Sequence, residues 1–155
     1  MPADDFVFPP APQASLAVQG TDARFPMRRI FCVGRNYEAH AREMGKDPTR
    51  EAPFFFTNPA DAALDTPCTI PYPPQTEDLH HEIELVIAIG KGGRNIAEAD
   101  VMDHVWGASV GIDLTRRDLQ AEAKKAGRPW DWGKAFDNSA PIAALKPIAD
   151  VPSVE

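Results

Sequence analysis

The chain of 155 residues is long enough for one domain with a substantial hydrophobic core. Its 23 Asp and Glu outnumber its 16 Lys and Arg, and the net charge of −7 argues against general binding to nucleic acids or acidic membranes, which requires excess positive charge. No apolar run approaches the length of a membrane span, and the acidic, Pro-rich N-terminus lacks the basic and apolar regions of a secretion signal.

The two cysteines, Cys32 and Cys68, lie far apart in the sequence and in no spacing typical of a metal site. We therefore expect free thiols in a reducing compartment, and a cytoplasmic protein. Six basic residues between positions 116 and 134 nevertheless leave room for a local pocket that binds a small anionic substrate.

Residues 1–23 are predicted to form a Pro-rich tail with one short strand at 15–18, and the folded domain is expected over residues 24–155. The first strand of that domain is the apolar segment RRIFCVG, which ends at Gly34. A helix is predicted over NYEAHAREMG, with Asn36 capping its start and Gly45 its end.

His40 and Glu43 fall three residues apart on this predicted helix, and so on one of its faces. A carboxylate that holds the tautomer of a histidine is a general-base arrangement, and it can activate water. An exposed contact between two helix residues is the alternative interpretation of such a pair.

The next segment, residues 53–74, is interrupted by prolines and predicts short extended pieces. The strand that follows, HHEIELVIAIG, carries Glu82 and Glu84. Residues two apart on a strand point to the same side, so both carboxylates project in one direction. Two like charges in a half-buried strand repel each other. The pair is therefore either part of a metal site or a salt-bridged or solvated surface pair.

Asp113 closes the next apolar strand, WGASVGID, and is the candidate for a third oxygen ligand. A site made of carboxylates suits Mg²⁺ or Mn²⁺ better than zinc, which favours His and Cys. At most one of the adjacent His80 and His81 can face such a site, and we expect it to support the ligands or cap a neighbouring element.

Between these strands, GKGGRN is predicted to be a hairpin turn and IAEADVMDHV a short helix. After the second strand, Thr115 and Asp118 resemble a capping box. It would open a helix that ends near Ala126, before Gly127.

Arg117 and Gln120 lie one turn apart on this second helix, where they face either a substrate carboxylate or solvent. Lys134 lies among aromatic residues in WDWGKAFD. It is either a partly desolvated cation near the site or a surface lysine whose stem packs on tryptophan.

Four segments, in this order, resemble the fumarylacetoacetate hydrolase family: CVGRNYEAHAREMG, HHEIELVIAIGKGGRNI, GIDLTRRDLQAEAKKAGRPW and WGKAFDNSAPI. They look closest to the bacterial fumarylpyruvate hydrolases and acylpyruvases. The resemblance implies an α+β fold, a mixed β-sheet roll with few short helices, assembled as a homodimer. The family usually has a lysine where Asn58 stands, and its domain continues through further strands. We therefore expect an incomplete, C-terminally truncated catalytic domain.

The resemblance also implies roles for the candidate site residues. The expected ligands of Mg²⁺ or Mn²⁺ are Glu82, Glu84 and Asp113. The expected catalytic residues are His40, Glu43 and Lys134, and the expected substrate contacts are Arg35, Arg117 and Gln120.

The implied reaction is hydrolysis of a carbon–carbon bond in an acylpyruvate, with fumarylpyruvate giving fumarate and pyruvate in aromatic catabolism. In this reaction the metal and Lys134 stabilise the pyruvate enolate that the broken bond leaves behind. The alternatives within the family are an oxaloacetate decarboxylase, a 2-hydroxypenta-2,4-dienoate hydratase and an isomerase. An inactive fragment or interaction module is the alternative outside enzymes.

Overall fold

The structure, a computed structural model, describes residues 6–34 and 54–152. Its first strands are β1 (Ser15–Ala17), β2 (Arg24–Pro26), β3 (Ile30–Gly34), β4 (Phe54–Asn58) and β5 (Ala63–Asp65). The later strands are β6 (Leu79–Ile89), β7 (Val105–Arg116), β8 (Ala140–Ile142) and β9 (Lys146–Pro147). The described helices are α1 (Arg117–Ala126), α2 (Asp131–Lys134) and the 3₁₀ helices Ala60–Ala62, Glu98–His104 and Ile148–Asp150.

The central sheet has the strand order β5–β8–β7–β6, and β9 also pairs with β7. β5 and β8 are parallel, whereas β6, β8 and β9 run antiparallel to β7, so the sheet is mixed. β1 with β2 and β3 with β4 form two further antiparallel pairs. The expected mixed sheet with few short helices is confirmed. The predicted strand RRIFCVG is confirmed as β3, and the segment interrupted by prolines contributes β4 and β5.

The hydrophobic core joins the β1–β2 hairpin to the central sheet. Leu145 is fully buried, and its backbone N–H donates to the carbonyl of Ala17 at 2.8 Å. The strand predicted at 15–18 is confirmed as β1, and it packs in the core although the sequence assigned it to the N-terminal tail. The buried members of the core are Leu16, Met27, Ala88, Ile142 and Leu145.

β6 pairs with β7 along its whole length and presents two different faces. On one face, Val86 and Ala88 reach the core. β6 ends the sheet, and no other described strand pairs with its second edge. The opposite face is apolar and 45–65% exposed, and it consists of Ile83, Leu85, Ile87 and Ile89.

The connection between β6 and β7 is longer than predicted. Residues 90–104 form a loop that ends in the 3₁₀ helix Glu98–His104. The N–H of Gly90 donates to the carbonyl of His104 at 2.9 Å, and Nδ1 of His104 lies 2.8 Å from the carbonyl of Lys91. Because His104 closes the base of this loop, the prediction of a tight hairpin turn at GKGGRN is wrong. The predicted short helix is present as the 3₁₀ helix.

The predicted capping box at the start of α1 does not form. Thr115 is fully buried within β7, and its hydroxyl donates to the carbonyl of Asp113 at 3.3 Å. The carboxylate of Asp118 instead accepts a hydrogen bond from Oγ1 of Thr76 at 2.6 Å. The prediction is wrong because a distant residue takes the carboxylate that local spacing assigned to the helix end.

α1 ends at Ala126, as predicted. Gly127 has a φ of 62°, a left-handed conformation that glycine adopts without a steric penalty. The N–H of Arg128 donates to the carbonyl of Ala123 at 2.9 Å, which satisfies one acceptor of the last turn. None of the helices in the described part of the chain has the length and apolar character required to cross a bilayer.

Candidate active site

The pairing of β6 with β7 gathers the acidic candidates on one face of the sheet. Glu82 stands opposite Asp113, and Glu84 stands opposite Gly111. Side chains alternate along a strand, and directly opposite residues share a face. Glu82, Glu84 and Asp113 therefore project to the same side, as a consequence of strand period and register.

Lys134 supplies a buried positive charge to this acidic face. It closes the short helix α2, and its side chain is only 2% exposed. Its Nζ lies 2.7 Å from Oε2 of Glu82 and 2.6 Å from Oδ2 of Asp113. Of the two interpretations of Lys134, the desolvated cation near the acidic residues is confirmed and the surface lysine is wrong.

Arg117 supplies a second positive charge from the first residue of α1. One terminal nitrogen donates to Oε1 of Glu82 at 2.5 Å, and the other donates to Oε1 of Gln120 at 2.7 Å. Its Nε donates to Nδ1 of His80 at 3.2 Å. Arg117 and Gln120 therefore contact each other, as their spacing predicts, and His80 supports Arg117 beside Glu82.

The surroundings act differently on the two opposed acidic residues. Burial acts to raise the pKa of Glu82, but hydrogen bonds from Lys134 and Arg117 outweigh it and hold that pKa below its usual value. At Asp113 burial dominates, and the pKa lies above its usual value although Lys134 opposes the shift. Glu82 therefore keeps its negative charge to lower pH than usual, whereas Asp113 takes up a proton at higher pH than usual.

β4 covers this cluster with residues that sequence reasoning did not assign to the site. Phe54, Phe56 and Asn58 alternate with two exposed residues and so share the inner face of β4. The Phe54 ring packs edge-on against Trp130 with centroids 5.1 Å apart, and the Phe56 ring centroid lies 5.4 Å from Nζ of Lys134. The Phe56 ring excludes water from one side of the Lys134 ammonium.

Cys32 on β3 is a further residue near the site that the sequence did not indicate. It pairs with Phe56 across the two strands. Burial raises the pKa of the Cys32 thiol to about 12, with a further contribution from the negative charge of Asp113. Cys32 and Cys68 are both free thiols, as predicted.

Two buried oxygens in this region have no hydrogen-bond partner among residues 6–34 and 54–152. They are Oδ1 of Asp113 and Oδ1 of Asn58, whose residues are 8% and 4% exposed. Most buried acceptors in folded proteins are satisfied, so two unsatisfied oxygens beside a cluster of acidic residues require an explanation.

The donor atoms on this face fit a hard divalent cation. Three carboxylates offer oxygen ligands only, and Oδ1 of Asp113 is a buried acceptor without a hydrogen-bond partner in the part of the chain that the structure describes. The ammonium of Lys134 stands between Glu82 and Asp113, and as these side chains lie, no three His, Cys, Asp or Glu residues within 6–34 and 54–152 come together closely enough to hold one ion. The type of donor atom suits Mg²⁺ or Mn²⁺, but the side chains do not lie close enough to share one ion, and Glu82, Glu84 and Asp113 are candidate ligands by their chemistry alone.

Three further candidates, Arg35, His40 and Glu43, lie outside the described residues, as does the helix predicted around them. Their roles stay predictions.

Comparisons with known proteins identify the relatives of this chain. The family model of the fumarylacetoacetate hydrolase C-terminal domain matches residues 29–154. A fumarylpyruvate hydrolase from Pseudomonas aeruginosa, solved in complex with Mn²⁺ and pyruvate, is 54% identical and superimposes with a TM-score of 0.90, covering 94% of this chain and 64% of that one.

Two curated relatives carry a different activity in their names. The oxaloacetate tautomerase YcgM of Escherichia coli is 39% identical over 132 residues, which are 85% of this chain and 60% of the relative. The mitochondrial oxaloacetate tautomerase fahd-1 of Caenorhabditis elegans is 41% identical over 125 residues, 81% of this chain and 58% of the relative. The chain thus spans about three-fifths of the length of these relatives. The family model, which matches more than half of the chain, shows that the chain belongs to the fumarylacetoacetate hydrolase family.

Proposed function

We propose that the protein hydrolyses a carbon–carbon bond in an acylpyruvate, with fumarylpyruvate as substrate. The observation that carries the proposal is the buried ammonium of Lys134, in contact with both Glu82 and Asp113. The name of the Pseudomonas relative, and the pyruvate and Mn²⁺ bound to it, support the choice of substrate.

The reaction consumes water and releases one proton. Fumarylpyruvate and water give fumarate, pyruvate and H⁺, as the bond between the distal carbonyl carbon and the methylene carbon breaks. The electron pair of that bond stays with the pyruvate fragment as an enolate, which then takes up a proton at carbon. A positive charge close to the enolate oxygen lowers the barrier to this cleavage.

Lys134 and Arg117 are the positive charges that the described residues offer at this site. Lys134 is shielded from water by Phe56 and by its own burial, so its charge acts more strongly on a nearby anion than it would in water. Arg117 is 26% exposed, and it has the donor geometry to hold a substrate carboxylate.

Hydrolysis also needs a base that takes a proton from the attacking water. His40, with Glu43 holding its tautomer, is the proposed base, and Arg35 is a further proposed contact to the substrate. Glu82, Glu84 and Asp113 would hold Mg²⁺ or Mn²⁺, which when bound polarises the keto oxygen of the substrate as a Lewis acid.

Tautomerisation of oxaloacetate is the second candidate, favoured by the names of the Escherichia coli and Caenorhabditis elegans relatives. It also passes charge onto the oxygen of an α-keto acid, but it moves protons only and consumes no water. Lys134 and Arg117 would serve both reactions. Only hydrolysis needs His40 and Glu43 to activate a water molecule, so this pair would distinguish the two.

The test is incubation with Mg²⁺ or Mn²⁺ and either fumarylpyruvate or oxaloacetate. Loss of the fumarylpyruvate enol absorbance with formation of fumarate and pyruvate supports hydrolysis, and its absence with folded protein refutes it. Faster keto–enol exchange of oxaloacetate without carbon dioxide supports the tautomerase, whereas carbon dioxide indicates a decarboxylase. Lys134→Met should abolish the activity, and Lys125→Met, a change of an exposed lysine on α1, should retain it.

A further inference from the structure

We propose that Asp78 and His80 are positioning residues for the guanidinium of Arg117. They would fix its orientation so that its terminal nitrogens can receive a substrate carboxylate beside Glu82. The inference deepens the proposed function, since it rests on the role of Arg117 as a contact to the substrate. Neither Asp78 nor His80 would touch the substrate itself.

A closed ring of contacts joins the start of β6 to the start of α1. The backbone N–H of Arg117 donates to the carbonyl of Asp78, the residue before β6, at 2.7 Å. The side-chain Nε of Arg117 donates to Nδ1 of His80 at 3.2 Å, and Nε2 of His80 lies 2.9 Å from Oδ1 of Asp78. The backbone and the side chain of Arg117 are therefore both tied to Asp78, the second through His80.

The His80 ring can complete these contacts in one tautomer only. The Nε of an arginine side chain always carries a hydrogen in proteins, so Nδ1 of His80 must be the acceptor. A neutral imidazole has one donor and one acceptor nitrogen, so the hydrogen of His80 lies on Nε2 and is donated to Asp78. The carboxylate of Asp78 thus holds His80 in the tautomer that Arg117 requires.

The other donors of Arg117 explain why its orientation matters. One terminal nitrogen donates to Glu82 at 2.5 Å and the other to Gln120 at 2.7 Å. Each terminal nitrogen keeps one N–H without a hydrogen-bond partner among residues 6–34 and 54–152. Because a guanidinium is planar and rigid, the contact at Nε fixes the plane in which these two N–H groups can bind a carboxylate.

The contact between Asp78 and His80 contributes little to the stability of the fold. Their side chains are 52% and 50% exposed, and contacts between groups so open to water add little to the free energy of unfolding. The side chain of Arg117 is 26% exposed and lies against Glu82. The exposed pair therefore acts through the less exposed group that it orients.

Steady-state kinetics with fumarylpyruvate and Mg²⁺ measure this role. His80→Phe keeps a ring and removes the acceptor, and Asp78→Ala removes the group that fixes the tautomer. Both should raise KM by about 3- to 10-fold and change kcat by less than about twofold, because a contact made equally to bound substrate and transition state affects binding alone. An unchanged KM in His80→Phe overturns the inference.

Conservative variants separate positioning from a structural role. His80→Asn places an acceptor oxygen near the position of Nδ1, and Asp78→Asn keeps an acceptor for Nε2, so each should bring KM back toward the wild-type value. His81→Phe is the matched control, because His81 is adjacent on β6 and exposed on the opposite face, and it should leave KM and kcat unchanged. Asn variants as impaired as His80→Phe and Asp78→Ala would show that these hydrogen bonds are not the cause, and the inference would fail.

Nitrogen-15 NMR tests the pair without catalysis. In mildly alkaline buffer the His80 ring should show the tautomer with hydrogen on Nε2, and the Nε hydrogen of Arg117 should exchange with water more slowly in the wild type than in His80→Phe. The other tautomer, or equal exchange in the two proteins, overturns the inference. A wild type that shows both signatures but does not turn over fumarylpyruvate would support the positioning of Arg117 and contradict the proposed function.

Discussion

Lys134 and Asp113, 21 residues apart in the sequence, meet through Nζ and Oδ2 at 2.6 Å. Their side chains are 2% and 9% exposed, so water solvates neither charge well. In a buried pair of this kind, the removal of one partner leaves the other charge without compensation. The stability of the fold and the proposed chemistry therefore depend on the same contact.

Lys134→Met should lower the free energy of unfolding by about 3 kcal/mol at neutral pH, because it leaves Asp113 buried without a cation. The loss should shrink in acid, since Asp113 can then be protonated. Urea titrations at both pH values measure this. Lys125→Met, on an exposed residue of α1, should change stability by no more than about 0.5 kcal/mol. Equal effects of the two substitutions would contradict the buried contact.

The sequence alone indicates the parts of the site that depend on local period. Glu82 and Glu84 share a face because strand side chains repeat every two residues, and Arg117 reaches Gln120 because helix positions three apart are neighbours. Both relationships lie within single elements. They follow from spacing before any tertiary contact is known.

The contacts made by distant residues could not be predicted in this way. Lys134 contacts Glu82 across 52 residues, and Thr76 takes the carboxylate of Asp118 across 42. The position of the Phe56 ring beside Lys134 depends on how β4 packs on the sheet. No periodicity in the sequence encodes these contacts. The capping box predicted from local spacing does not form, because Thr76, distant in the sequence, binds the Asp118 carboxylate.

Glu84→Gln should weaken Mn²⁺ binding at least about tenfold if Glu84 is a ligand, because an amide carries no negative charge to offer the ion. Mn²⁺ at 100 times its dissociation constant should raise the free energy of unfolding by about 2.7 kcal/mol, and EDTA should reverse this gain. Glu122→Gln, an exposed residue on α1, is the control. The same affinity in both variants would refute the assignment of Glu84.

Cys32 should resist alkylation in the folded protein. Its half-buried thiol has a pKa raised to about 12 by burial and by Asp113, so little thiolate exists at pH 8. Cys68 is exposed and should react first with iodoacetamide. Mass spectrometry should find one label per folded chain and two after unfolding in urea. Rapid labelling of Cys32 without urea would show that the packing of β3 over the site is wrong.

Asp65 should contribute stability that is lost in acid. Burial opposes the shift, but hydrogen bonds from the N–H of Ala17 at 2.8 Å and from Arg24 at 2.7 Å hold the Asp65 pKa below its usual value. The contribution is therefore complete above the unfolded pKa, near 3.8, and disappears as pH falls through the lower folded value. Asp65→Asn should lower the urea midpoint at pH 7 and change it little at pH 2. Asp61→Asn, an exposed neighbour, should show no such difference.

Gly107→Ala should destabilise the fold by about 1–3 kcal/mol, because β9 passes too close to β7 for a side chain. A Cβ at Gly107 would lie 2.3 Å from the backbone carbonyl oxygen of Lys146, which cannot move without breaking the pairing of the two strands. Gly92→Ala is the matched control, since a Cβ there meets nothing within 4 Å. Urea unfolding of the two variants tests the pairing directly. If Gly107→Ala were as stable as Gly92→Ala, β9 could not lie against β7, and Lys146 and Pro147 would have to leave the sheet that carries Glu82 and Asp113.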